Sequence, residues 1–294
     1  MENVINIPKY SYHKRAKRRK KTIKILLTIT AIIVAFVVIF PVLWIIPAAF
    51  KPKNELFSIP NTFFPVNGTL ENFTKVFNAD INGTTLLKSI GATLLVATLA
   101  TFTSLFVNML TGYALARINF KRKKLIWIFL LFPMFIPGIT IMLTSIKVVY
   151  ALNMIDTIFV LFVPGMANSY QIFFFRQFYL NIPSNIEEAA VIDGCSRFKI
   201  FFKIIIPMSI TPMVVIGVGT FMGAWNNFVW PTLTITENDN LIQIMQIIRT
   251  LNTTYKGDYG VVIAATLITL VVPIAVLTIF QKKIVEGIAL SGGK

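Results

Sequence analysis

The chain has 294 residues, with 28 Lys and Arg against 12 Asp and Glu and a formal net charge of +16. Yet only 14% of residues are charged, 55% are hydrophobic, and mean hydropathy is +0.73. One Cys and one His exclude an intrachain disulfide framework and a Cys/His zinc cluster, and the apolar content excludes disorder, so the composition is that of a polytopic membrane protein.

In chain order, the segment 1–24 comes first and carries nine of the basic residues. Such a run is either a nucleic-acid-binding tail or a topology anchor beside anionic lipid, and the anchor explains every charge. Six runs without Asp, Glu, Lys or Arg follow, at 25–50, 89–116, 125–146, 157–175, 204–236 and 259–281. A helix needs about 20 mostly apolar residues to cross about 30 Å of hydrocarbon. The runs are continuously apolar rather than alternating, which fits helices and not barrel strands. The first run is too long for a secretory signal. Pro41, Trp44 and Pro47 stand where a cleavage site would, so it is expected to be a retained anchor.

The expected fold is therefore an all-α polytopic membrane protein with six transmembrane helices. Its expected parts are a basic segment 1–24, a six-span domain 25–281 and a tail 282–294. With both termini cytoplasmic, the cytoplasmic segments hold 21 of the 28 Lys and Arg and five of the 12 acids, and the external ones hold seven of each. The whole +16 then falls on one face, as the positive-inside rule requires.

Of the external segments 51–88, 147–156 and 232–258, the first and third are polar and turn-rich, and Asn-x-Thr sequons start at Asn67, Asn72, Asn82 and Asn252. Pro133, Pro137 and Gly138 interrupt the third run, and Pro164 and Gly165 the fourth, which predicts kinked helices. Gly219 and Gly223 form a G-x-x-x-G pair suited to close helix approach. No acid lies inside any run, which argues against a proton-coupled carrier. The sequence has no G-x-x-x-x-G-K-[ST] loop, so any use of ATP belongs to another chain.

The stretch 181–212, between the fourth and fifth runs, reads as helix, turn, helix. Pro183 and Ser184 suit a helix start, Asn185 offers a cap one turn later, Glu187 and Glu188 favour the helix dipole, and Gly194 suits a stop. In the second helix Phe198, Phe201 and Phe202 share a face, and Pro207 turns it inward.

This segment resembles the cytoplasmic Glu-Ala-Ala loop of binding-protein-dependent ABC importers. The matching residues are Glu188-Ala189-Ala190, Asp193-Gly194 and Ile204-Ile205-Ile206-Pro207, with Cys195 and Ile206 as mild departures. Thr111-Gly112-Tyr113-Ala114-Leu115-Ala116-Arg117 is similar to a conserved helix end in carbohydrate permeases of the maltose type. Ala224-Trp225-Asn226-Asn227-Phe228-Val229-Trp230-Pro231 is similar to their Trp-Asn-Asp-Phe segment, with Asn227 in place of Asp, and residues 281–294 are similar to their short tail. The likeness covers about residues 20–294.

The resemblance implies a permease subunit in the bacterial plasma membrane, itself non-catalytic and without a cofactor. Its implied partners are a second permease subunit, two ATPase subunits holding ATP and Mg, and an extracytoplasmic substrate-binding protein. Glu187, Glu188, Ala189, Ala190, Asp193, Gly194 and Pro207 would then couple the chain to an ATPase. Gly287, Gly292 and Gly293 would let the tail reach the ATPase interface. Asn168, Gln171, Trp225, Asn226 and Asn227 offer the hydrogen bonds and aromatic face that a sugar needs, or else they bond helix to helix. The rival readings are an importer of another solute, such as a glycerophosphodiester, polyamine or peptide, and a stand-alone secondary carrier.

Overall fold

The computed structural model describes residues 9–81 and 83–292. Asn82 and Gly293 lie outside the described residues, as does the start of the basic segment. α1 (Lys9–Ala48) is one 40-residue helix that runs through the basic segment into the first apolar run. Short α2 (Lys53–Leu56) and α3 (Glu71–Asn78) follow, then α4 (Leu86–Arg117), about 48 Å long at 1.5 Å per residue. The third run divides into α5 (Lys123–Leu131), a 3₁₀ turn at Phe132–Phe135 and α6 (Gly138–Ala151). The two halves lie 107° apart. Pro137 precedes α6 and cannot continue the helix before it, so the predicted kink is a full break.

The fourth run departs further from expectation. It forms no single helix: α7 (Ile158–Phe162) and α8 (Ser169–Leu180) are separated by the turn around Pro164 and Gly165. α9 (Ser184–Ile192) stands alone after α8. Next come α10 (Arg197–Ile200), a π-turn at Phe201–Ile205, and α11 (Ile206–Met208). α12 (Ile210–Trp225) departs at 80° from that segment. Pro212 sits in the first turn of α12, where it is tolerated but prevents an unbroken helix from 206 onward. α13 (Val229–Thr234), α14 (Ile244–Thr254) and α15 (Tyr259–Gly292) complete the chain. Among the described residues, three helices are long and apolar enough to cross a membrane, or five if each bent pair counts as one.

Two main cores lie at opposite ends of α4. One joins Val76 of α3, Leu86 of α4, Trp225 of α12, Ile244, Ile247 and Leu251 of α14, and Val261, Ala264 and Ala265 of α15. The other joins Met109 and Tyr113 of α4, Phe175 and Tyr179 of α8, Ala190 of α9, and Ile200, Phe201 and Ile205. Gly112 allows the α4–α8 crossing: a Cβ there would lie 2.9 Å from the Phe175 Cβ and 3.1 Å from the Arg176 nitrogen. Gly219 and Gly223 play no such part within this chain, since a Cβ on either would meet nothing within 4 Å. Asn72 is buried, and its amide donates to the Ala49 and Lys51 carbonyls at 2.9 and 2.8 Å, so this sequon is structural.

Candidate functional site

α9 is a nine-residue helix between two chain reversals. Pro183 precedes it with extended backbone and makes no side-chain cap, so Asn185 falls inside the helix rather than at its cap. Gly194 ends it at φ +75, the left-handed conformation that glycine adopts without strain. The Cys195 nitrogen donates to the Ala190 carbonyl at 2.9 Å and the Gly194 nitrogen to Val191 at 3.0 Å, which closes the last turn.

The helix has two distinct faces. Glu188, Ala189, Val191 and Ile192 are exposed, Ile192 to 85%. Glu187 and Ala190, three residues apart and so on one face, point into the chain's own body, at 3% and 7% exposure. Asp193 and Gly194 are exposed at the reversal. The six coupling residues named on and just after α9 therefore split: Glu187 and Ala190 pack inward, and Glu188, Ala189, Asp193 and Gly194 remain at the surface. Pro207 lies in α11, one π-turn beyond α10.

Arg117, the last residue of α4, lies against the inner face of α9. Its Nε is 2.9 Å from Glu187 Oε1, a charge contact whose N–H does not point along the line to the oxygen. Its Nη2 donates to the Tyr179 carbonyl at 2.6 Å and also to the Ile182 carbonyl. Tyr113 Oη donates to Glu187 Oε2 at 3.1 Å, and Arg197 Nη1 approaches the same oxygen at 3.6 Å from a half-exposed position. A cleft of about 470 Å³ opens beside these groups, between α9 and Arg197.

Phe198, Phe201 and Phe202 do not share one environment. Phe201 is buried against Tyr113, with ring centroids 5.2 Å apart, whereas Phe198 and Phe202 are exposed. Phe201 opens the π-turn, whose wider winding shifts the angular register of the residues that follow it.

A second polar cluster bridges α4, α8 and α12. Asn108 Nδ2 lies 2.9 Å from Gln171 Oε1, 3.1 Å from the Met166 carbonyl, 2.7 Å from the Ser104 carbonyl and 2.9 Å from Ser104 Oγ. Two amide protons are thus shared among four acceptors. Asn108 Oδ1 accepts from the Asn168 nitrogen at 2.9 Å, and Gln171 Nε2 donates to Thr220 Oγ1 at 3.0 Å. Asn108 therefore satisfies the carbonyl and the N–H that the break before α8 sets free, as lipid requires.

Of the predicted pathway residues, Asn168 caps α8, accepting from the Gln171 nitrogen at 3.1 Å, and Gln171 bonds helix to helix. Trp225 is 1% exposed and stacks on Phe221 inside the core. Asn226 is exposed, with its amide donating to the Met222 carbonyl, and Asn227 accepts from the Trp230 nitrogen. Asn108→Leu removes three bonds between helices at about 0.6 kcal/mol each, so a loss of about 2 kcal/mol is expected in detergent unfolding.

The tail residues Gly287 and Gly292 belong to α15, which runs on without a break. A Cβ at Gly287 would lie 2.7 Å from Val215 Cγ2, so this glycine serves the α12–α15 crossing.

At the opposite end of the bundle, Asp156 ties the α6–α7 loop to the segment after α13. It accepts from the nitrogens of Thr236, Glu237 and Asn238 at 2.7, 2.9 and 3.2 Å, and from the Thr236 hydroxyl at 2.9 Å. Burial pushes its carboxyl up, but these donors outweigh that and hold it below the usual carboxylate range.

Sequence reasoning missed Arg117 and Tyr113 as partners of α9, and Asn108, Ser104 and Thr220 as partners of Gln171. A signal existed for Asn108, which is the sole Asn in the run 89–116.

Residues 108–289 match the family described as "Binding-protein-dependent transport system inner membrane component". The Arabinooligosaccharides transport system permease protein AraQ of Halalkalibacterium halodurans is 32% identical over 273 residues, covering 92% of this chain and 96% of that protein. The Sulfoquinovosyl glycerol transport system permease protein SmoH of Agrobacterium fabrum is 31% identical, with 87% and 89% covered. The sn-glycerol-3-phosphate transport system permease protein UgpE of Escherichia coli is 29% identical, with 86% and 91% covered.

Among solved structures, a bacterial ABC transporter involved in the import of the acidic polysaccharide alginate superposes with a TM-score of 0.77. The identity is 19%, over 90% of this chain and 97% of that one. A second, the alginate transporter in complex with a pentasaccharide-bound periplasmic protein, gives a TM-score of 0.60 at 15% identity, covering 90% and 94%. With the family match spanning α9, the Arg117 contacts and most of the bundle, and a relative alike over nearly its whole length, this chain belongs to the inner membrane components of binding-protein-dependent transport systems, as a non-catalytic permease subunit.

Proposed function

We propose that the chain moves a sugar or oligosaccharide into the cytoplasm by alternating access, driven by separate ATPase subunits that hold ATP and Mg. The observation that carries this reading is α9: a short helix, braced from behind by Arg117 and presenting Glu188, Ala189, Val191 and Ile192 outward. Such an element suits a cleft on an ATPase and carries a push into the bundle. The relatives named for arabinooligosaccharides and sulfoquinovosyl glycerol favour a saccharide. The relative named for sn-glycerol-3-phosphate supports a second reading, a phosphorylated glycerol.

The reading includes six crossings, with α7 and α8 together making the fourth. Both termini lie on the cytoplasmic side with α9, where the basic residues gather. Segment 1–24 anchors the orientation, 25–281 forms the pathway and 282–294 approaches the ATPases. A second permease subunit completes the pathway, and a binding protein delivers the solute at the Asp156 end. Asn226, exposed at the end of α12, is the best placed of the pathway residues to meet substrate, with Asn227 beside it. Asn168, Gln171 and Trp225 act through packing and bonding in this conformation.

Proteoliposomes holding the complete transporter, with ATP inside and the loaded binding protein outside, test this. Accumulation of labelled oligosaccharide that requires ATP is expected, and gradient-driven uptake by this chain alone would sink the reading. Gly194→Val forces a β-branched residue into left-handed backbone at a cost of at least about 1–2 kcal/mol. It should leave the chain inserted and ATP hydrolysed while uptake is lost.

A further inference from the structure

The ends of α9 are held very differently. Before it, one guanidinium joins three elements. Arg117 of α4 touches the Tyr179 carbonyl at the end of α8, the Ile182 carbonyl in the connection, and Glu187 of α9. The side chains of the ion pair are 13% and 5% exposed, so water screens it less than it would a surface pair. Tyr113, one turn earlier on α4, donates to the same carboxylate. Ala190 and Ile182 pack into the core that holds Tyr113 and Tyr179.

After α9 the picture reverses. Residues 191–194 and 196–199 are exposed, and only Cys195 between them is partly covered. Gly194 sits at φ +75 with open space where a Cβ would be. The only charge contact across this reversal, among the described residues, is Arg197 to Glu187 at 3.6 Å, from a side chain 54% exposed.

We propose that Arg117 is a positioning residue that locks α9 to the ends of α4 and α8, while the exposed stretch 191–199, with Gly194 at its turn, is the part of the loop that yields. This rests on the reading of α9 as the ATPase-coupling helix. A displacement of α9 then reaches the bundle through α4 as a rigid body. The stretch 191–199 yields between α9 and Ile200, which with Phe201 is held in the same core as Tyr113 and Tyr179. The α4–α8–α9 unit is stiff because one planar guanidinium donates to two carbonyls while its charge faces the Glu187 carboxylate, which a lysine ammonium does not reproduce in one geometry. The stretch is compliant because glycine has access to backbone angles that other residues avoid.

Two distances test this in the complete transporter on a Cys195→Ser background. Spin labels at Ile192 and Asn119 span the lock, and labels at Ile192 and Lys199 span the yielding stretch; all three positions are exposed. Between nucleotide-free and ATP-trapped states, the Ile192–Asn119 distance should stay fixed and narrow while the Ile192–Lys199 distance shifts. Arg117→Gln should broaden the first distribution and cut the solute moved per ATP about tenfold, the scale of a typical coupling free energy. Tyr113→Phe keeps the ion pair and should give an intermediate loss.

A wild-type Ile192–Asn119 distance that shifts with nucleotide, while the Ile192 label is immobilised by the docked ATPase, would overturn the lock alone. An Ile192 label that stays freely mobile in the assembled complex would overturn the coupling reading and the lock with it. Unchanged solute per ATP in Arg117→Gln would also refute the lock.

Discussion

Gly112→Leu is expected to abolish the folded bundle, and Gly112→Ala to cost about 1–3 kcal/mol, the usual range for overpacking. The site tolerates no Cβ: Phe175 Cβ would be 2.9 Å away, the Arg176 nitrogen 3.1 Å and the Ile172 carbonyl 3.3 Å. Two of those three atoms are backbone of α8 and cannot rotate aside. Phe175 is fully buried, so its own movement would disturb Tyr113 and Tyr179. A leucine would separate α4 from α8 and pull Arg117 away from the Tyr179 carbonyl. The measurement is the yield of monodisperse protein in detergent and its unfolding midpoint. Gly219→Ala is the control and should change neither, since its surroundings in this chain are open.

Glu187→Leu is expected to cost about 3–5 kcal/mol, because it leaves a buried guanidinium without its counter-charge. The pair itself is not a large source of stability. Desolvation of two charges offsets most of their attraction, so removing both should be far milder than removing one. Arg117→Met with Glu187→Leu should therefore recover much of the loss in a thermal unfolding series. The recovery stays incomplete, because the Tyr179 and Ile182 carbonyls lose the donor that Arg117 provided. If the double variant is as unstable as Glu187→Leu alone, the charge argument fails and the carbonyl contacts dominate.

What was legible in the sequence was mostly local. The end of α9 could be read because a single Gly194 carries the left-handed turn. The breaks at Pro137 and Pro164 could be placed, because proline acts within one turn of itself. The extent of the second break could not: whether a proline kinks a helix or ends it depends on who satisfies the freed backbone groups. Here that is Asn108, some 60 positions away in the chain.

Glu187 and Glu188 look alike in sequence. Only the position of Arg117, 70 residues earlier, decides which one is buried. Trp225 illustrates the same limit, since an aromatic ring suits a sugar face and a helix core equally well, and the packing of α14 and α15 chose the core. Phe201 was grouped with Phe198 and Phe202 because helical spacing alone does not tell which of the three rings meets Tyr113 of α4. The tail glycines were expected to let it reach an ATPase; Gly287 itself falls at a helix crossing, where lack of a side chain lets α15 approach Val215 of α12.

α1 bears on how the protein meets membranes of different thickness. None of its most apolar stretch is buried in the chain, and among its described side chains only those at its end, Pro47 and Ala48 with the following Ala49, are buried. Its apolar length, from 25 to 48, is about 36 Å, more than the ~30 Å of hydrocarbon it must match. Such a helix accommodates the excess by tilting, at a modest cost per ångström. Within this chain α1 is held by its buried end and by a ring contact of Phe40 with Phe63 at 6.2 Å, so it leans more readily than a packed helix as the bilayer thins or thickens. α4, gripped by a core at each end, has no such freedom. Changes in lipid thickness would therefore be absorbed by the leaning of α1, while around α4 and its neighbours it is the lipid that must deform.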